Sequence, residues 1–181
     1  MAGYGLKIMK TAQKLALGLG ALTSLATLAS TAHAQASSSA TASGNATILA
    51  PLTANKTSDL AFGTIIRPNS GTATVTIDNA GTRTVTGGAS VGGSPTAASF
   101  QIIGEGGSAY SVSVPSSFDM TAGTSTLTVA TTNSSGGGGT LSGSVGSVST
   151  ASFGVGGSIN VSTATVAGAY TGNLTITAAY N

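Results

Sequence analysis

The 181-residue chain has no cysteine and no tryptophan, one histidine, and six Lys or Arg against four Asp or Glu. That inventory excludes a disulfide-stapled fold and thiol chemistry, and it leaves His33 as the sole imidazole. Disordered chains combine low hydrophobicity with high net charge; this one is 40% hydrophobic and nearly neutral, so most of it reads as folded.

Lys7, Lys10 and Lys14 precede an apolar run over residues 15–29, and the small residues Ser30, Thr31, Ala32 and Ala34 follow around His33. This is the three-part layout of a secretory signal, with cleavage expected between Ala34 and Gln35. Gly18, Gly20, Thr23 and Ser24 interrupt the run, which is too short to span a bilayer comfortably, so no membrane span is expected in the mature chain. The expected organisation is a signal peptide at 1–34, a flexible mature N-terminus at 35–44 and a single β-sandwich domain at 45–181. Cleavage removes His33 and three lysines. Lys56, Arg67 and Arg83 then stand against Asp59, Asp78, Glu105 and Asp119, three against four, a net charge of −1. Without a basic patch the mature chain is not expected to bind nucleic acid, and weak self-repulsion favours association.

Residues 35–44 are Ser, Ala and Thr with no apolar period. From Asn45 onward short alternating segments follow one another, with predicted strands at 47–52, 60–66, 72–77, 82–86, 98–103, 109–114, 125–131, 147–155, 158–163 and 170–180. Turn residues separate them at 68–71, 78–81, 92–95, 104–107 and 156–157, where Gly, Asn and Asp supply the backbone angles tight turns require. The glycine-rich run at 133–139 reads as a long surface loop, and at most one helical turn, near 96–99, is expected. In 73–77 and 126–129 apolar and hydroxyl side chains alternate, placing one face in a core and one in water. The expected fold class is all-β, an antiparallel sandwich with Phe62, Phe100, Phe118, Phe153, Tyr110, Tyr170 and Tyr180 as its core aromatics.

Catalytic, cofactor-binding and metal residues are expected to be absent. The mature chain offers four scattered carboxylates and one lysine, and Lys56 with Asp59 reads as a solvated approach to the next strand. No calcium-loop spacing occurs, and the glycines at 92–93 and 104–107 do not open a helix that could cradle phosphate. Asn-x-Ser/Thr sequons begin at Asn45, Asn55, Asn133, Asn160 and Asn173, but they arise easily in so Ser- and Thr-rich a chain.

The strongest pattern is C-terminal. Tyr170, Gly172, Leu174, Ile176, Ala178 and Tyr180 project to one face and Thr171, Asn173, Thr175 and Thr177 to the other, with Gly168 just ahead. Either this is the last strand of a private core, or Gly168, Tyr170, Leu174, Ile176 and Tyr180 form an assembly strand. A glycine about a dozen residues before a penultimate tyrosine, bridged by alternating apolar positions, resembles the C-terminal strand of chaperone-usher pilus subunits. Residues 56–65, the segments around Phe100 and Tyr110, and 153–157 followed by 168–172 resemble the bacterial domain-of-unknown-function family 4402, over about 45–181.

These resemblances imply an immunoglobulin-like sandwich exported by a Gram-negative bacterium, passing through the periplasm to the cell surface, a fimbrium or the medium. They imply a fimbrial-type structural subunit that assembles by β-strand addition, partnered by copies of itself or a periplasmic chaperone, with Ile48, Ala50 and Leu52 as the candidate donor segment. A stand-alone adhesin or glycan-binding module, or a neutral surface-matrix protein, is the alternative, and no receptor or glycan is specified. Export predicts that N-terminal sequencing of protein recovered from periplasm or medium reads Gln-Ala-Ser-Ser-Ser. A mature protein retaining residues 15–29 would contradict it.

Overall fold

The computed structural model describes residues 37–181, which divide at Gly44 into the short stretch 37–44 and a compact unit, Asn45–Asn181. The expected signal peptide and its cleavage point, Ala34 and Gln35, lie outside the described residues. Residues 37–52 form no regular secondary structure. No helix occurs among the described residues, hence none long and apolar enough to cross a membrane.

The second unit is an antiparallel multi-sheet sandwich. Its strands are β1 (Thr53–Ser58), β2 (Thr64–Ile66), β3 (Thr72–Ile77), β4 (Arg83–Thr86), β5 (Ser90–Gly92) and β6 (Ala98–Glu105), then β7 (Ala109–Ser113), β8 (Ser117–Ala122), β9 (Ser125–Asn133), β10 (Gly138–Thr140), β11 (Val148–Ser162) and β12 (Thr177–Tyr180). One sheet has the order β1-β6-β11-β3-β4 with β9 and β8 added beside β11; smaller sheets join β10-β7-β12 and β2-β5.

β11 organises the whole. Val155 pairs with both Ala98 of β6 and Asn133 of β9, and Gly157 with both Ile77 of β3 and Thr131 of β9. A strand residue has two edges, so β6 and β3 lie end to end along one edge of β11 while β9 covers the other. At that junction the turn after β3 presses against the strand. A Cβ at Gly154 would collide with the Asn79 carbonyl, and one at Gly156 with the Ile77 carbonyl. Glycine is required there because another backbone occupies the side-chain position. The Asn79 amide oxygen then accepts from Gly156 N at 3.0 Å and from Thr132 Oγ1 at 2.9 Å, filling the gap between β3 and β6.

Alternation supplies the core. In β3, Ala73, Val75 and Ile77 are fully buried while the threonines between them face outward. One cluster gathers around Phe100, Ile102, Tyr110 and Phe153, the other around Phe62, Val75, Ile77, Val129 and Ile159. Phe100 and Phe153 are register partners with ring centroids 5.6 Å apart, an arrangement worth about 0.5–1.5 kcal/mol beyond burial. Each fully buried aliphatic side chain adds about 1.5–3 kcal/mol.

Several expected boundaries move. Gly156 and Gly157 are buried inside β11, which merges the predicted strands 147–155 and 158–163. Residues 47–52 are not a strand: Pro51 has no N–H to offer, Ala50 bonds side chains instead of a ladder, and the first strand is Thr53–Ser58. β8 was not expected, although Phe118, Met120 and Ala122 alternate within it. The 133–139 run reaches into β10, Gly104 and Glu105 finish β6, and 96–99 is extended rather than a helical turn. Of residues 170–180, only Thr177–Tyr180 forms a ladder. Four expected core aromatics, Phe62, Phe100, Phe153 and Tyr110, are buried, whereas Phe118, Tyr170 and Tyr180 are half-buried.

Gly156→Val should destabilise the domain by about 1–3 kcal/mol, since β11 or the turn after β3 must move to admit the side chain. Urea unfolding reads this as a lowered midpoint, and an unchanged midpoint would show that the approach is not tight.

Candidate functional site

The C-terminal segment is built as a two-faced strand that is only partly paired. Leu174, Ile176, Ala178 and Tyr180 pack against the cluster around Phe100 and Phe153, while Thr171, Asn173, Thr175 and Thr177 are exposed. β12 pairs with β7, and Thr171 bridges Thr121 through reciprocal backbone bonds of 2.8 and 3.1 Å. Residues 172–176 between them carry no ladder. Gly168 is exposed, and the Tyr170 hydroxyl donates to the Val166 carbonyl at 2.8 Å.

β1 and β12 are each the terminal strand of their sheet, and they touch. Each therefore keeps an edge without a ladder partner. Two contiguous clefts, of about 270 Å³ and about 820 Å³, share Leu60, Met120 and Tyr170; the smaller meets β1 at Lys56, and β12 lines neither. Together they make one slit. Its walls are residues 56–67, running out of β1 into β2, and residues 165–174, running into the C-terminal segment. Its floor is apolar: Phe100 and Phe118 in the smaller part, Leu127, Ile159 and Val161 in the larger. The Lys56–Asp59 ion pair stands at one end. At the other, Arg67 Nη1 donates to the Thr163 and Thr165 carbonyls at 3.1 and 2.6 Å and ties the two walls together.

The candidate donor residues sit in different settings. Ile48 is 89% exposed. Ala50 donates its N–H to Glu105 Oε2 at 2.9 Å, and its carbonyl accepts from the Tyr180 hydroxyl at 2.9 Å. Leu52 packs against the chain's own core. Tyr180 is thus part of a clamp, its hydroxyl also accepting from Glu105 N at 2.7 Å. Glu105, 4% exposed, is the one buried charged side chain among the described residues, and it accepts from Gly146 N as well.

The remaining carboxylates hold local structure. Asp78 Oδ1 accepts from the Ala80 and Thr82 amides at 2.9 and 2.7 Å, Asp119 accepts from Thr128 at 2.6 Å, and Asp59 pairs with Lys56. Among the described residues no three His, Cys, Asp or Glu gather as metal ligands. What this region presents is an apolar floor bordered by residues 172–174, which carry no ladder. The slit floor and the Glu105 clamp were not anticipated from sequence, although the alternation of Phe118 with Met120 and a lone carboxylate set among glycines are legible signals for them.

The family model described as "Domain of unknown function (DUF4402)" matches residues 52–180, and the chain is a member. No curated protein and no solved structure matches it.

The N–H groups of Ala50 and Gly146 stabilise the Glu105 carboxylate and hold its pKa below the ordinary 4.5 against the opposing effect of burial. With a depressed folded pKa, the folded chain binds fewer protons than the unfolded one between the lowered value and 4.5. The contribution is complete above that window and is lost as pH falls through it. Asp78, lowered chiefly by the Thr82 amide, acts in the same sense. Urea midpoints of Glu105→Gln should therefore fall less steeply on acidification than those of wild type, keeping only the Asp78 share. Parallel acid profiles would remove Glu105 from this role.

Proposed function

We propose that the chain is an exported bacterial surface or fimbrial-type structural subunit that assembles with copies of itself by β-strand addition. The observation that carries this reading is the slit: residues 172–174, which carry no ladder, border an apolar floor, and an added strand would cover Leu60, Met120 and Leu127. An export signal at 1–34 and a mature charge near zero fit a protein that ends up packed against its neighbours. During transit an uncovered slit of this kind calls for a temporary occupant, the role a periplasmic chaperone strand would fill.

The stand-alone glycan-binding alternative draws no support from the surface. Every aromatic side chain among the described residues is at least half-buried, which leaves no open ring for sugar stacking.

Met120 lines both parts of the slit without being fully buried. Sedimentation velocity of the exported wild-type protein should reveal self-associated species that Met120→Arg reduces at least tenfold, with the β circular-dichroism signal retained. A wild type that stays monomeric at high concentration, or a folded variant that assembles as wild type does, would overturn the reading.

A further inference from the structure

Strand addition makes no use of Glu105, the one buried charged side chain among the described residues. Glu105 stands between two glycines whose side-chain positions are taken by other segments. A Cβ at Gly104 would meet the Tyr180 hydroxyl and methyl groups of Leu52 and Leu141, and one at Gly106 would meet Ser147 Oγ and the Ser142 and Ser144 carbonyls. Glycine on both sides thus lets three segments remote in sequence, 50–52, 141–147 and the end of β12, converge on one carboxyl group.

Each carboxylate oxygen has its own donor: Oε2 accepts from Ala50 N at 2.9 Å and Oε1 from Gly146 N. An ionised carboxylate only accepts, so it satisfies both. A protonated one sets an O–H against one of the two N–H groups and must give that partner up. The two donors are not held equally. The 141–147 segment has further bonds: the Ser147 and Leu141 carbonyls accept from Gly106 N and Gly107 N at 2.7 and 2.8 Å, Leu141 N donates to the Ser108 carbonyl at 3.0 Å, and the Ser142 hydroxyl bonds that of Ser149 at 2.7 Å. Residues 45–52 carry no ladder, and their only hydrogen bonds to other described residues are the two at Ala50, from Ala50 N to Glu105 and from the Tyr180 hydroxyl to the Ala50 carbonyl. Ala50 is therefore the partner that leaves.

We infer that Glu105 is a proton-operated latch: ionised, it holds residues 50–52 against the sandwich, and protonated, it releases them while the 141–147 segment and the sheets stay in place. Release frees the chain as far as Thr53, where β1 begins, and uncovers the apolar seat that Leu52 fills beside Gly104. The inference does not depend on strand addition. The Ala50 and Gly146 N–H groups outweigh burial and hold the Glu105 pKa below 4.5, so the latch is shut at neutral pH and opens as pH falls below that value. Among the elements around it, β12 brings Tyr180, with the terminal carboxylate of Asn181 one residue on, and β7 brings Tyr110, the register partner of Tyr180. β1 brings Lys56, already paired with Asp59, and residues 45–52, 141–147 and β11 bring no ionisable side chain.

Amide hydrogen exchange of the full chain, read residue by residue by NMR, tests the latch. Glu105→Gln imitates the protonated state, since its amide keeps one acceptor and turns the other position into a donor. At neutral pH its Ala50 N–H should exchange about tenfold or more faster than in wild type, with Gly146 and the ladder amides of β3 and β11 unchanged. Wild type should lose the Ala50 protection on acidification before those ladders open, and the variant should show no such acid step. Equal Ala50 rates in the two proteins overturn the inference, as does joint loosening of Ala50, Gly146 and the ladders, which would make Glu105 a structural tie alone. An acid step that persists in the variant belongs to Asp78 or to the Asn181 carboxylate and overturns it too. Should Glu105→Gln not fold, the wild-type acid series decides: Ala50 must loosen while the β3 and β11 ladders stay protected, and simultaneous loss rules the latch out.

Discussion

The rest of the structure depends on β11 serving two partners along one edge. A fifteen-residue strand that stayed beside β6 throughout would leave β3 and β4 without a sheet. The change of partner at Val155 to Gly157 is made possible by missing side chains, because the turn at Asp78 and Asn79 lies where the Cβ atoms of Gly154 and Gly156 would be. Glycine in a strand interior costs roughly 0.5–1 kcal/mol relative to alanine. That cost is offset by what the junction joins: a cluster around Phe100 and Phe153 on one side and another around Val75, Ile77 and Ile159 on the other. Leu60 packs against both clusters, so the two halves of the core are continuous through it.

Leu60 is also where the sandwich fails to close. On one side of it the chain leaves β1 for β2, and on the other residues 165–174 approach the last strand, leaving the slit between. Charged side chains stand only at the ends of the slit, Lys56 with Asp59 at one and Arg67 at the other, and each is already bonded. Arg67 grips the Thr163 and Thr165 carbonyls, Arg83 donates to the carbonyls of Phe62 and Gly92 at 2.8 and 2.9 Å, Asp59, Asp78 and Asp119 are bonded locally, and Glu105 is held by the distant Ala50 and Gly146 amides. Under the proposed strand addition, recognition in this region would be a matter of main chain and shape. A backbone edge discriminates poorly between sequences, so specificity falls to the side chains that alternate inward and to how well they match the floor.

How much of this was legible in the sequence can be argued from particular residues. Alternation of threonine with Ala73, Val75 and Ile77 identified β3 to the residue, because one buried face fixes register strongly. The C-terminal alternation likewise placed Leu174, Ile176 and Tyr180 against the core. Gly156 and Gly157 misled for a physical reason: a glycine pair signals either a turn or a close backbone approach, and only the position of the Asp78 turn, set by residues far away in sequence, distinguishes them. β8 was obscured because Thr121 is its one β-branched residue, and Asp119, Met120 and Ala122 around it do not favour strands. The slit was beyond reach because it is defined by what two segments a hundred residues apart fail to do.

The clamp at Ala50 connects these features. Glu105 ends β6 and Tyr180 ends β12, so the two bonds to Ala50 tie the departing chain at once to the sheet containing β6 and to the sheet containing β12. Glu105 N also donates to the Tyr180 hydroxyl, which closes a ring of three bonds around that end of the molecule. A buried carboxylate is tolerable there because backbone N–H donors surround it, and replacing any of them with an apolar contact would leave the charge exposed to a low dielectric.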